Sequence, residues 1–331
     1  MIISRAPVRI TLGGGGTDLQ SYYSRYGGFL IAAAIEKYVF ISANKRFYDS
    51  IRLSYSRTEI IDDISQIKHR IFKKALELIG IEGGIELVSI ADVPANCGLG
   101  TSSSFTVSLL NALHAYKREF ITQKQLAKEA CYIEIDMLGE PIGKQDQYIA
   151  AFGGITCLTF EKNGEVVVEP LRISGETLDQ LESNLMLFYT GIERSASAIL
   201  SEQDEKSLEN DLDVISNLHR IKEIGLETRR ALEKGDVNQL GELFHAHWET
   251  KRKRSQKMSD PFIDECYEVA CKNGALGGKI MGAGGGGFFV FFCNNSNKSK
   301  LSEAMKRIEL KPMRFRFDLE GAKVLINMKG F

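Results

Sequence analysis

The stretch with the most chemical promise is Pro94-Ala95-Asn96-Cys97-Gly98-Leu99-Gly100-Thr101-Ser102-Ser103-Ser104. There a proline-bounded loop with two glycines runs straight into a segment whose apolar residues, Phe105, Leu109, Leu113 and Tyr116, recur at helical spacing. The first turn of a helix leaves N–H groups unpaired and carries the positive end of the macrodipole, so it favours phosphate, and the serine hydroxyls could reach a phosphate-bound metal ion. A well-capped helix after a tight turn accounts for the same residues, and both readings stand on these signals. Asp146 lies in a polar, glycine-bearing stretch, 139–154, between a helix-like and a strand-like run, where catalytic loops tend to sit, although an Asx-turn or a cap is the more common use of a lone Asp. Gly13-Gly14-Gly15-Gly16-Thr17-Asp18 offers bare backbone followed by a carboxylate, which allows main-chain N–H groups to approach a ligand closely or simply makes a capped turn.

Other patterns point away from chemistry. Gly282–Gly287 satisfies G-x-G-x-x-G, but the strand-like Phe288-Phe289-Val290-Phe291-Phe292 follows where a dinucleotide fold requires a helix, and no G-x-x-x-x-G-K-[ST] occurs. His245 and His247 are two apart, hence on different faces of a helix, and read as structural rather than as a metal pair. Lys251-Arg252-Lys253-Arg254, with Lys257, follows Trp248 on a helical pattern. At about 100° per residue these cations wrap the helix, so most are expected in solvent.

The elements that must position these residues are mixed. Strands are expected at 2–12, 29–35, 37–45, 84–91, 155–160, 165–169 and 185–190, and helices at 65–79, 101–116 and 122–136. From 195 to 273 the pattern is helical, broken near Gly235 and Asp260-Pro261, before strand, helix and strand at 286–293, 297–309 and 322–328. This order predicts an α+β fold with a domain boundary near 180. The chain has 331 residues, 44% of them hydrophobic and 26% charged, which is a globular composition, and its net charge of −1 supplies no field for gripping nucleic acid or an acidic bilayer. Apolar runs such as 29–35 fall short of the roughly 20 residues a membrane helix needs, and Arg5 interrupts any signal-peptide core, so a cytoplasmic location is expected. The six cysteines are too sparse for a disulfide framework and are expected to be reduced. Nothing indicates a homo-oligomer.

Taken together, three motifs in order resemble the GHMP kinases, the family of galactokinase, homoserine kinase, mevalonate kinase and phosphomevalonate kinase. The substrate segment is similar to Ala6–Asp18, the phosphate loop (usually P-x-G-x-G-L-G-S-S) to Pro94–Ser103, and the late glycine motif to Gly278–Gly287. Asn96 replaces the loop's common glycine and Thr101 its first serine; Asn tolerates positive φ and Thr keeps a hydroxyl. Gly15-Gly16 stands where galactokinases carry Glu-His, which speaks against galactose. Within the family, Arg9–Asp18 and Ile142–Gln147 look most like the bacterial kinases acting on the anomeric hydroxyl of D-glycero-D-manno-heptose 7-phosphate.

The resemblance implies a two-domain fold, with a ribosomal protein S5 domain 2-like domain at 1–180 that binds ATP and sugar and a ferredoxin-like α+β domain at 181–331. It implies that Asn96, Gly98, Leu99, Gly100, Thr101, Ser102 and Ser103 bind ATP, that Ser102 and Glu134 hold Mg2+, and that Asp146 is the base with Arg9 beside it. On its residues alone, Glu134 reads as a solvated helix position. Gly14, Gly15, Gly16, Thr17, Asp18, Gly284 and Gly285 are implied to bind the acceptor, with Arg194 or Lys251 for a sugar phosphate. The implied partners are ATP and a small sugar phosphate. The competing expectations are another anomeric kinase, for fucose or a hexose, and a non-catalytic sugar or nucleotide sensor.

Overall fold

The computed structural model describes residues 1–193, 197–209, 211–252 and 261–328. In chain order the first part comprises β1 (Ile2–Gly14), α1 (Gln20–Tyr26), β2 (Gly28–Lys45), β3 (Ile51–Ser54), β4 (Thr58–Ile61), α2 (Arg70–Ile79), β5 (Ile85–Ala91), α3 (Thr101–Lys117), α4 (Gln123–Cys131), α5 (Gln145–Phe152), β6 (Ile155–Phe160) and β7 (Val166–Pro170). There follow α6 (Gly175–Asn184), β8 (Leu185–Tyr189), α7 (Ser197–Leu208), α8 (Leu212–Glu233), α9 (Val237–Arg252), α10 (Pro261–Lys272), β9 (Ala275–Ile280), β10 (Phe288–Cys293), α11 (Lys298–Arg307), β11 (Lys311–Met313) and β12 (Lys323–Asn327).

Among the described residues the strands form two sheets. The first runs β12-β1-β2-β5-β3-β4, with β6 paired to the other end of the long β2 and β7 to β6. The second runs β11-β8-β10-β9; its β-α-β-β-α-β chain order with spatial order 4-1-3-2 is the ferredoxin-like arrangement. The expected boundary at 180 falls inside α6, between the two sheets, but the chain end departs from it: β12 pairs antiparallel with β1 and so rejoins the first sheet.

β1 explains how one strand serves both a core and a site. Val8, Ile10 and Leu12 face the cluster shared with Val290, Phe292 and Phe244 of the second half, each such buried side chain worth roughly 1.5–3 kcal/mol. The two-residue period therefore turns Arg9 and Thr11 to the opposite face. On that side α3 lies over β1 and β2, where Ala32 and Ala34 are fully buried and leave room for it. The break between the strands expected at 29–35 and 37–45 is a bulge inside one strand: Pro7 pairs with Tyr38 and Val8 with Ile35, leaving Glu36 and Lys37 over. The helix expected over 122–136 stops at Cys131 and continues as a π-helical turn, Tyr132–Met137.

Candidate active site

A cavity of about 440 Å³ opens where the start of α3, the start of α5, the end of β1 and the loop after β9 converge. Asn96, Gly98, Gly100, Thr101, Ser102 and Ser103 line it. Asn96 adopts φ 55°, the left-handed conformation its type tolerates. Gly100 caps α3, and the Ser104 hydroxyl ties that turn to the carbonyls of Pro7 (2.7 Å) and Gly100 (3.1 Å). Leu99 is different: its side chain is fully buried in the core, and it acts through its carbonyl, which accepts from the Arg9 backbone N–H at 3.0 Å.

Asp146 sits in the first turn of α5, a helix where the sequence suggested a loop. Arg9 grips it with a fork: Nε donates to Oδ1 at 2.6 Å and Nη2 to Oδ2 at 2.9 Å, the bidentate geometry a planar guanidinium favours. Arg9 Nη1 donates to the Gly98 carbonyl at 2.5 Å, so one buried arginine locks the carboxylate to the loop before α3.

Glu134 lies on the π-turn, a distortion that often marks functional sites, and is 1% exposed rather than solvated. Ser102 Oγ donates to its Oε1 at 2.9 Å and Gln147 Nε2 to its Oε2 at 2.7 Å. Burial pushes its pKa up to about 7, and the nearby Asp146 charge adds to the rise, against the lowering by these neutral donors.

Asp18 is 2% exposed and accepts from the Gln145 backbone N–H at 3.2 Å. Burial raises its pKa, and the Gln145 N–H opposes that. Gly143 makes this seat possible, since a Cβ there would fall 1.9 Å from Asp18 Oδ2. Gln145, in turn, accepts from Thr11 Oγ1 at 2.9 Å. Thr17 does not reach the cavity: it is fully buried and its hydroxyl clasps the backbone of Phe29, donating to O at 3.0 Å and accepting from N at 3.2 Å.

The late glycine loop packs backbone against backbone on the loop before α3. A Cβ on Gly98 would stand 2.6 Å from the Met281 carbonyl, and one on Gly282 would stand 2.8 Å from Gly98 Cα. Gly282 and Ala283 line the cavity, whereas Gly284 and Gly285, implied to contact the acceptor, do not. The reason is that the loop's second half turns back toward Ile192 and β10.

This geometry accompanies a clear relationship. Residues 66–154 match the model of the GHMP kinases N terminal domain and residues 228–310 that of the GHMP kinases C terminal domain. A protein of Campylobacter jejuni subsp. jejuni serotype O:2 named D-glycero-alpha-D-manno-heptose 7-phosphate kinase is 32% identical, over 97% of this chain and 98% of its own. This chain belongs to the GHMP kinase family. A crystal structure from Bacteroides thetaiotaomicron titled a D-glycero-D-manno-heptose 1-phosphate kinase superposes with a TM-score of 0.83 at 27% identity, covering 99% of this chain and all of that one. A galactokinase of Pyrococcus furiosus is 26% identical over 92% of this chain and 93% of its own. As a GHMP kinase the protein is a phosphotransferase, and ATP is the phosphoryl donor of the family.

The remaining expected residues of this GHMP kinase divide. Gly14, Gly15, Gly16 and Lys251 line the cavity; Arg194 lies outside the described residues, as do Lys253, Arg254 and Lys257. Arg252 faces outward and pairs with Glu249 at 2.9 Å. His245 bonds Tyr267 (2.7 Å), in keeping with a structural role, but His247 also lines the cavity, its Nε2 donating to the Gly14 carbonyl at 2.7 Å. Sequence reasoning passed over Gln145, Gln147 and Lys279. Lys279 stood inside the quoted glycine motif, and its charge amid apolar neighbours was the available signal.

Among the described residues no group of three or more His, Cys, Asp or Glu could hold a metal ion by itself. The Ser102–Glu134 pair nonetheless fits Mg2+, a hard ion that usually takes one or two protein oxygens and fills its shell with phosphates and water. Among the described residues no helix is long and apolar enough to cross a membrane.

Proposed function

We propose that this kinase transfers the γ-phosphoryl group of ATP to the anomeric hydroxyl of D-glycero-D-manno-heptose 7-phosphate. The product is the 1,7-bisphosphate, a precursor of nucleotide-activated heptose such as GDP-heptose for surface polysaccharide, made in the cytoplasm. The observation that carries the transfer is the Arg9–Asp146 fork, anchored on Gly98 and facing the start of α3 across the cavity. The heptose assignment is supported by the printed name of the 32% identical relative.

Residues 1–180 supply the nucleotide seat and the acceptor carboxylates, and 181–331 close the cavity with the late glycine loop. The triphosphate sits on the N–H groups of residues 98–103, and the base at the other end, against His69, Ile71 and Leu138. Phosphoryl transfer has a loose transition state, so alignment and charge dominate. Asp146 accepts the proton of the attacking hydroxyl, a contribution of about 10² to 10⁴ in rate, while the Arg9 fork aims the carboxylate. Asp18 and the backbone of Gly14–Gly16 orient the other hydroxyls. Ser102 and Glu134 hold Mg2+, which when bound neutralises charge on the phosphates.

The test is ADP release with matched free and phosphorylated sugars, followed by phosphorus NMR of the product. Heptose 7-phosphate should be preferred at least tenfold, with a new anomeric phosphate signal. Equal turnover of free fucose or hexoses would replace the heptose assignment with that of a general anomeric kinase, and no turnover of any sugar would favour a sensor.

A further inference from the structure

The acceptor end of the cavity holds two buried lysine amines that the transfer step does not use. Lys279, on β9, is 1% exposed and lines the cavity. Its Nζ donates to the Leu12 carbonyl at 3.3 Å and stands 5.0 Å from the Phe244 ring centroid, and among the described residues no carboxylate forms an ion pair with it. Lys251 reaches the same wall from α9, its amine donating to the carbonyls of Ile280 (3.2 Å) and Gly282 (2.5 Å). Burial lowers the Lys279 pKa well below the usual lysine value, and the charges of Lys251 and Arg9 push it the same way.

Two features place Lys279 beside the acceptor rather than the nucleotide. It is bonded to Leu12, which leads into the Gly13–Gly16 wall ending at Asp18, and His247 of α9 is bonded to Gly14 on that wall, while Lys251 reaches from α9 to Gly282, whose backbone packs on Gly98. The nucleotide seat, with Ser102 and Glu134, belongs to α3 and the π-turn. Asp146 is already matched by Arg9, and Asp18 is held by Gln145. Burial holds such an amine toward its neutral form, and an anion seated beside it favours the ammonium, so a negatively charged ligand group is the partner this position suits.

We propose that Lys279, with Lys251 beside it, forms a second anion subsite that seats a phosphate monoester carried by the acceptor, separate from the phosphate-binding loop. This deepens the reading above and rests on it. Lys279 then sets specificity for phosphorylated over free sugars, without a direct part in bond making.

The test uses the full chain saturated with a non-hydrolysable ATP analogue, so that the phosphate-binding loop is occupied. Calorimetry then measures inorganic phosphate and matched sugars with and without a terminal phosphate, for wild type, Lys279→Met and Lys279→Arg. In K279M the affinity for phosphate and for the phosphorylated sugar should fall at least tenfold more than that for the free sugar. K279R should recover most of the preference, and K279M should melt no lower than wild type, because an apolar side chain replaces a buried polar amine. A wild-type enzyme that binds no phosphate in this state overturns the subsite. So does a K279M enzyme that loses turnover equally on free and phosphorylated acceptors at unchanged KM, or one rescued by neither ligand nor arginine and less stable than wild type. Phosphate binding abolished by K279M supports the subsite even if heptose 7-phosphate is not turned over. Normal heptose 7-phosphate kinetics in K279M sinks the subsite and leaves the kinase reading standing.

Discussion

Two carboxylates face one cavity from opposite electrostatic environments. Asp146 is partly open to solvent and held by a guanidinium fork at 2.6 and 2.9 Å. Glu134 is buried, receives neutral donors from Ser102, Ser103 and Gln147, and has its pKa raised to about 7. The same chemical group is thus clamped by a cation at one position and made a conditional anion at the other. A carboxylate clamped in one direction suits alignment of a hydroxyl that must lose a proton. A carboxylate that becomes charged only when a cation arrives suits a metal delivered with the nucleotide, since a metal ligand must shed its proton to bind.

The largest way to break this contrast is Asp146→Asn, which keeps the shape but removes the proton acceptor. Turnover should fall by about 10² to 10⁴, while ATP affinity, measured by calorimetry, stays within about tenfold. Near-normal turnover would end the base assignment. Arg9→Lys comes next: a point charge cannot make two parallel bonds to Asp146 and a third to Gly98, so kcat should drop at least tenfold with a smaller change in ATP binding.

Glu134→Gln tests the conditional anion. Affinity for the magnesium nucleotide should fall about tenfold or more, and in the wild type it should weaken about tenfold for each pH unit below 7, a slope that the variant loses. Stability should move oppositely. A carboxyl raised from 4.5 to about 7 in the folded state contributes stability that is full below 4.5 and is lost as pH rises through 7. At about 1.4 kcal/mol per pKa unit the loss is on the order of 3 kcal/mol, so metal-free E134Q should be the more stable protein at pH 8, with no such advantage at pH 4. A thermal melt series with chelator checks this, and parallel curves would show that Glu134 is ionised throughout.

Much of the contrast was legible in the sequence only through motif resemblance. The glycine loop before α3 was visible because helix spacing and loop chemistry are local signals, whereas Arg9 entered through the resemblance, and its place on a buried strand beside Val8, Ile10 and Leu12 bears on why it faces the cavity. Glu134 read as solvated because a local π-turn breaks the regular helical spacing and its burial is completed by Gln147 arriving from α5. Thr17 and Leu99 lie in matching motifs but point into the core, since a motif specifies backbone path and not the face of each side chain. The second half of the late glycine loop misled similarly: glycine marks close approach, and here the approaching group is the protein's own backbone.

The smallest test separates burial from hydrogen bonding as the cause of Glu134's behaviour. Gln147 is fully buried and gives one N–H to Glu134 Oε2, while its own Oε1 has no partner among the described residues. Gln147→Met removes a bond that favours the charged carboxylate, so the midpoint for magnesium-nucleotide binding should move up from about 7 by about one pH unit. Overall stability near pH 6 should change little, because the substitution also removes a buried oxygen that lacked a partner. An unmoved midpoint would assign the whole shift to burial. A midpoint that moved down would mean that Gln147 presents its oxygen to Glu134, which would then be a protonated donor in the resting enzyme, and the contrast with Asp146 would be sharper still.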